Sequence, residues 1–248
     1  MLSKIFKPKY SYDLVRLGSK HDGGYLIEFN SLNRADFLFS FGISTNWDFE
    51  ESFLKYNKIN FIAFDASINE EFWNKLREQA IRKTLRLSFS KLFQYFYLRK
   101  RFKNFFDKDN LKLKYISQTM KNSLTMSEVL SYSNFDNNFF KIDIEGSEYE
   151  ILEDIIYHQN RIIGLAIEFH ECRLNINKIE NFIKKFSLIL VHIHANNYDK
   201  DHNLNIPKTL EITFAKNPKI IGKFKKLPHP LDKPNRAKSS EVNIKFNE

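Results

Sequence analysis

The chain has a single cysteine in 248 residues, Cys172, so it cannot close a disulfide on itself. One cysteine among scattered histidines is also no zinc framework, which needs several Cys/His ligands at short spacing. No apolar run approaches the roughly 18–20 residues required to span a bilayer. Positions 1–10 carry neither an apolar h-region nor a small-residue cleavage site, so a secretory leader is not expected. There is no G-x-G-x-x-G, which counts against a nicotinamide enzyme, and no G-x-x-x-x-G-K-[ST], which excludes a P-loop. Internal repeats and low-complexity linkers are absent as well. The remaining composition, 42% hydrophobic and 28% charged, is ordinary for a soluble globular protein, with the cytoplasm as the default expectation.

The length fits one large domain, or a domain carrying an insertion. The net charge is +9 and the pI is near 9.3. Nine Lys and Arg fall between positions 77 and 103 against one acid, Glu78, which makes a local basic surface. Short apolar runs alternate with helical stretches in the manner of repeated β-α units. Strands are expected at 36–42, 59–65, 112–116 (the weakest), 139–144, Ile162–Phe169, 188–194 and Leu210–Ala215. Helices are expected over 47–56, from Gly146 to about Tyr157, and over about 177–186. Residues 12–29 read as a hairpin-like lead-in that turns at Asp22-Gly-Gly-Tyr25. Residues 70–110 exceed what one crossover helix requires. Leu85, Leu87, Phe89, Leu92, Phe93 and Phe96 sit there among basic residues and predict at least one amphipathic helix. This stretch reads as an inserted subdomain, a lid or an oligomer surface.

The run Phe139-Phe-Lys-Ile-Asp-Ile-Glu-Gly-Ser-Glu-Tyr-Glu-Ile-Leu152 describes a buried strand that ends in acids, turns at Gly146 and enters a helix. Ligands of open α/β sheets bind beyond the carboxyl ends of the strands, which makes Asp143 and Glu145 candidates for chemistry. Alternatively, Glu145, Ser147 and Glu148 only start a helix. Gly42 ends the first strand, where a glycine lets the backbone approach a ligand and the next helix offers N–H donors. Asp65 ends the second strand, placed either to accept the two hydroxyls of an adenosine ribose or to cap the helix that follows. Lys141, Asp143 and Glu145 share one strand face, as do Glu168 and His170, and His192, His194 and Asn196. Polar side chains in strands covered on both faces are costly unless they lie at the tips or are paired. Three such tips point to one shared polar site, able to take a proton or to hold a divalent cation through Asp, His and Asn. Each histidine taken singly can equally be a hydrogen-bonded structural group.

Asp22-Gly-Gly-Tyr25, Ser40-Phe-Gly-Ile-Ser44, Lys141 to Leu152, Glu168-Phe-His170, His192-Ile-His-Ala-Asn-Asn197 and Leu227-Pro-His-Pro-Leu-Asp-Lys-Pro-Asn235 together resemble the FkbM-type S-adenosylmethionine-dependent methyltransferases. The similarity runs over about 12–235, interrupted by the basic insertion. It implies an α/β, Rossmann-like class I methyltransferase fold, with a seven-stranded, mostly parallel sheet, an antiparallel last strand and helices on both faces. Residues 1–248 would form one methyltransferase domain, with a lead-in at 1–35 and a basic helical insertion at about 70–110. The resemblance places Gly42 and Ser44 beside the methionine part of the donor, Asp65 at its ribose, and Ser117 and Gln118 at the adenine edge. Asp143 would lie near the sulfonium and the acceptor. Many class I enzymes have a second glycine where this chain has Ser44.

A hydroxyl acceptor needs a base or a metal, since a neutral alcohol is a poor nucleophile. Asp143, His170 and His194 are the candidates for the base, and the sequence does not fix whether a metal takes part. The family habit is methylation of a sugar or nucleotide sugar in bacterial surface-polysaccharide (capsule or lipooligosaccharide) synthesis, with S-adenosylhomocysteine as product. The basic insertion suits the diphosphate of a nucleotide sugar. Other small acceptors remain open, as does a nucleic-acid-binding module on the same fold. Against the latter, the insertion's aromatics are spaced as a helical core and the expected site is acidic. A basic amphipathic helix can also make a peripheral contact with anionic lipid.

Overall fold

A computed structural model describes residues 1–87, 90–117, 123–198 and 206–247. Seven strands form the central sheet: β1 (Phe37–Phe41), β2 (Asn60–Phe64), β3 (Leu111–Lys112), β4 (Asn138–Ile142), β5 (Ile162–Phe169), β6 (Ile189–Ala195) and β7 (Leu210–Ala215). Every residue of β1, β4, β5 and β7 is buried, as their near-continuous apolar runs require of strands covered on both faces.

The strand order is β6-β7-β5-β4-β1-β2-β3. Strands β1 to β5 are mutually parallel, and β7 runs antiparallel to both β5 and β6. The chain therefore starts mid-sheet at β1, winds outward to β3 and returns to place β4 on the other side of β1. This is the mixed sheet with an antiparallel last strand that the class I methyltransferase fold requires. The crevice beyond the carboxyl ends of β1 and β4 is its topological switch point, where open α/β sheets bind ligands.

Three elements differ from expectation. The third strand is split: Leu111–Lys112 joins β2, whereas Tyr115–Ile116 pairs with Ser123–Leu124 in a separate ribbon. The Lys114 N–H turns back onto the Lys112 carbonyl, which ends the first pairing. After β4 the left-handed Glu145 and Gly146 (φ 53° and 105°) turn the chain into a 3-10 turn at Ser147–Glu150, and Ile151, with non-helical angles (φ −111°, ψ 1°), separates it from the α-helix Leu152–Tyr157. The helix expected at 177 begins earlier and spans Cys172–Lys185. Cys172, Ile176, Ile179 and Phe182 lie at helical spacing and pack into the main core.

The lead-in is a hairpin of Leu14–Gly18 and Gly24–Glu28, pinned to β7 where the Thr213 hydroxyl donates to the Leu26 carbonyl at 2.7 Å. The basic stretch folds into two helices, Glu70–Leu87 and Ser90–Phe105. Trp73 and Phe102 meet between them at 4.8 Å, and Phe102 and Phe106 pack on Trp47. Tyr95, Leu98 and Phe102 form the inward stripe. Phe93 and Phe96, expected within a helical core, therefore point outward and are 74% and 57% exposed, beside Tyr97 at 64%. Phe89 and the side chains of Leu85 and Leu87 lie outside the described residues. No helix among the described residues is long and apolar enough to cross a membrane.

Candidate active site

Beyond the carboxyl ends of β1, β2 and β4 opens a cavity of about 410 Å³, a size typical of small-molecule sites. Gly42, Ser44, Asp65, Lys141, Asp143 and Glu145 line it, with Asp22 entering from the hairpin turn. Gly42 has φ 73°, and a Cβ there would overlap the Asp143 carbonyl oxygen, so the tips of β1 and β4 approach this closely only with glycine. Ser44 is left-handed as well, at φ 44°.

Asp65 holds this turn in place. Its Oδ2 accepts the Ile43 and Ser44 N–H groups at 3.1 and 2.8 Å. Its Oδ1 accepts the Ser67 N–H and hydroxyl at 2.8 and 2.6 Å. A carboxylate offers about four acceptor positions, and all four are occupied here. A ribose hydroxyl can reach Asp65 only if the rotatable Ser67 hydroxyl swings away. Ser117 is buried with its hydroxyl on Glu150 and does not line the cavity, although its neighbours Tyr115 and Ile116 do. Gln118 lies outside the described residues.

One wall of the cavity is strongly polar. The buried Lys141 ammonium donates to the Gly42 carbonyl and stands 3.5 Å from Asp143 Oδ2. Burial works against its charge, but Asp143, Glu50 and Glu168 outweigh this and raise its pKa. The Tyr25 hydroxyl lies 2.9 Å from Glu168 Oε2 and 3.3 Å from Asp143 Oδ2. The Asn196 amide donates to Glu168 Oε1 at 3.0 Å. Burial, then the charges of Asp143 and Glu211, push the Glu168 carboxyl well above its ordinary range.

His170 does not line the cavity but stands behind Asp143 and Glu145, which do. Its Nδ1 is 2.9 Å from Glu148 Oε1, and its Nε2 lies 3.4, 3.8 and 3.9 Å from Glu145, Glu168 and Asp143 oxygens. Burial lowers its pKa, but the surrounding carboxylates, led by Glu148, prevail and lift it to about 9. An imidazole that is already protonated at neutral pH cannot accept a further proton, whereas the adjacent Asp143 carboxylate can.

His194 lies elsewhere. Its Nδ1 is 2.9 Å from Glu211 and its Nε2 is 3.1 Å from Glu241, so both ring nitrogens are engaged. It does not line the cavity. Burial pushes its pKa down, but Glu211 and Glu241 carry it up to about 10. Nearby, His192 Nε2 is 2.9 Å from Asp232, and the Asn197 amide donates to the Arg236, Ser239 and Ser240 carbonyls. The tips of β4 and β5, with Asn196 just past β6, thus meet at one polar centre, while His192, His194 and Asn197 hold the C-terminal segment. Two contributors escaped the sequence reading. Tyr25 follows the conspicuous Asp22-Gly-Gly turn but acts on strands far along the chain. Glu148 looked like a helix starter, yet it is fully buried and accepts the Ile144 and Gly146 N–H groups as well as facing His170.

No family model matches the sequence, and no curated protein matches it with significance. Solved structures similar to the chain include an rRNA methylase from Streptococcus thermophilus, with 11% identity, covering 75% of this chain and 92% of that one, at a TM-score of 0.39. Another is TrmK of M. capricolum in complex with S-adenosylhomocysteine, with 11% identity, 77% and 67% coverage, and a TM-score of 0.35. Likeness at this level carries nothing on substrate or mechanism.

Proposed function

We propose that this chain is an S-adenosylmethionine-dependent O-methyltransferase acting on a hydroxyl of a sugar or nucleotide sugar, in keeping with its FkbM-type motifs. The observation that carries the reading is the cavity at the β1/β4 switch point, with Asp143 in its wall and the Gly42 turn at its floor. The acidic lining from Asp22, Asp143 and Glu145 fits a donor with a positively charged sulfonium and ammonium. Gly42 and Ser44 would border its methionine part, Asp65 its ribose once the Ser67 hydroxyl turns away, and Tyr115, Ile116 and the neighbouring Ser117 its adenine side. When bound, the donor supplies an already activated methyl group, so alignment of the acceptor contributes much of the rate.

In this reading Asp143, held by Tyr25 and Lys141, orients the acceptor hydroxyl and takes its proton. His170 positions the carboxylates through its charge, and His194 acts at a distance by fixing the C-terminal strap. A centre so rich in carboxylates repels phosphate, so the reacting group is a neutral hydroxyl and any diphosphate lies outward. The whole chain serves as one cytoplasmic methyltransferase domain with a helical insertion at 70–110. The test is methyl transfer from a labelled donor to a panel of nucleotide sugars and neutral glycosides. Transfer to at least one sugar hydroxyl, lost in Asp143→Asn, is the expected result; donor turnover confined to non-sugar acceptors contradicts the sugar assignment.

A nucleic-acid acceptor is the second reading. It is favoured by Phe93, Phe96 and Tyr97 standing exposed beside Lys91, Lys100 and Lys103, an arrangement on which bases can stack. Salt-dependent oligonucleotide binding that is lost in Phe93→Ala/Phe96→Ala would establish it.

A further inference from the structure

Asp143 and Glu145, which line the cavity, and His170 behind them each present a ligand atom, and these atoms lie within 4.8 Å of one another. The outward-facing nitrogen of His170 is Nε2, because Nδ1 is held by Glu148, the outer carboxylate that commonly fixes a metal-bound imidazole. From Nε2 the distances to Glu145 Oε2 and Asp143 Oδ1 are 3.4 and 3.9 Å. First-row divalent ions hold such ligands at roughly 2.0–2.2 Å, which sets neighbouring ligand atoms about 3 Å apart. Closing the set needs adjustments of up to about 2 Å on that scale, and the Glu145 side chain, 85% exposed, is free to make them. A second observation points the same way. Glu148 is fully buried, its Oε1 takes three partners, and its Oε2 has no hydrogen-bond partner. The carboxylate that orients His170 thus keeps one buried oxygen without a partner.

We infer that Asp143, Glu145 and His170 bind one divalent transition-metal ion of the Mn²⁺ type, which displaces the proton from His170 Nε2 to solvent, with Glu148 orienting the histidine. Two carboxylates and an imidazole suit such ions better than Ca²⁺ or Mg²⁺, which prefer all-oxygen sets. Three protein ligands leave positions open on the cavity side for a hydroxyl oxygen. An ion there would make that hydroxyl easier to deprotonate. This catalytic role rests on the methyl-transfer reading; binding of the ion does not.

The test uses the full chain, stripped with EDTA and dialysed, then titrated with Mn²⁺ alone while the free-ion paramagnetic resonance signal is followed. One ion per chain is expected. Glu145→Gln, at an exposed position that does not endanger folding, and His170→Gln should each weaken binding at least about tenfold, and Glu148→Gln should weaken it by roughly 10- to 100-fold. No uptake at millimolar Mn²⁺, or equal affinity in Glu145→Gln and the parent, overturns the site. S-adenosylhomocysteine titrated into the same preparation separates the two readings. Its binding without Mn²⁺ uptake overturns the ion alone, and Mn²⁺ uptake without its binding sinks methyl transfer and leaves the ion standing.

Discussion

Asp65 and Ser67 illustrate how one side chain can serve both fold and ligand. The Asp65 carboxylate receives two main-chain N–H groups from the β1 turn, and each hydrogen bond to a charged group contributes about 1.5–3 kcal/mol. Asp65→Asn would turn an amide NH₂ toward those donors or lose one of them. It should cost about 2 kcal/mol in denaturant unfolding and weaken S-adenosylhomocysteine binding about tenfold or more in calorimetry. Ser67→Ala frees one acceptor position and should leave that binding equal or tighter. Weaker binding in Ser67→Ala would show that the hydroxyl belongs to the ligand contact and has no need to move away.

His194 makes a different prediction, one that depends on pH. In an unfolded chain it titrates near 6.5, and in the fold near 10. A raised folded value means that its stabilising contribution is full below about pH 6.5 and is lost as pH rises toward 10. The parent should therefore unfold at a higher temperature than His194→Gln by about 5 °C or more at pH 6, and the gap should narrow at pH 10. A gap independent of pH would mean that Glu211 and Glu241 are not held by an imidazolium.

At the scale of elements, the strand tips explain which parts of the chain could be read from its residues alone. The tips of β1, β4 and β5 were legible because near-continuous apolar runs leading to Gly42, Asp143 and Glu168 leave few alternatives. The turn after β4 was not. Its geometry is set by Glu148 reaching back to the Ile144 and Gly146 N–H groups, a contact indistinguishable in sequence from a helix start. Likewise, Asp143 and His170 were found because they lie at strand ends, but their partner Tyr25 comes from a hairpin 118 residues earlier than Asp143. His194 carried the same signal as His170, and only the tail's Glu241, which no periodicity marks, reveals its separate place. Gly42 packs closely against the tip of β4. Gly42→Ala adds left-handed strain of about 1–2 kcal/mol and a Cβ aimed at the Asp143 carbonyl. It should lower stability by at least that amount and abolish donor-product binding. Retention of parental affinity would remove the β1 turn from the site.

For the whole molecule, the division of charge is the organising feature. The sheet's carboxyl edge gathers Asp22, Asp143, Glu145, Glu148 and Glu168, while the two insertion helices carry most of the local positive charge. Some of that charge is used internally. Arg101 pairs with Asp48 and Glu51, and Arg99 lies over Trp73 at 4.5 Å. Lys91, Lys100 and Lys103 remain on the surface. An acidic pocket suits a cationic donor, and the exposed lysines of the insertion suit an acceptor with a remote anionic group. Reversing Lys100 and Lys103 to Glu should therefore raise KM for a nucleotide sugar while leaving KM for the donor within about twofold, since only exposed charges away from the cavity change. An equal rise in both would place the insertion at the donor site.

The central claim is that the β1/β4 crevice binds a sulfonium donor. Calorimetric titration of the full chain with S-adenosylhomocysteine tests it most directly. The account predicts saturable binding of one molecule per chain, lost in Gly42→Ala with the circular-dichroism spectrum retained. No binding to the parent chain, or undiminished binding to Gly42→Ala, would contradict it.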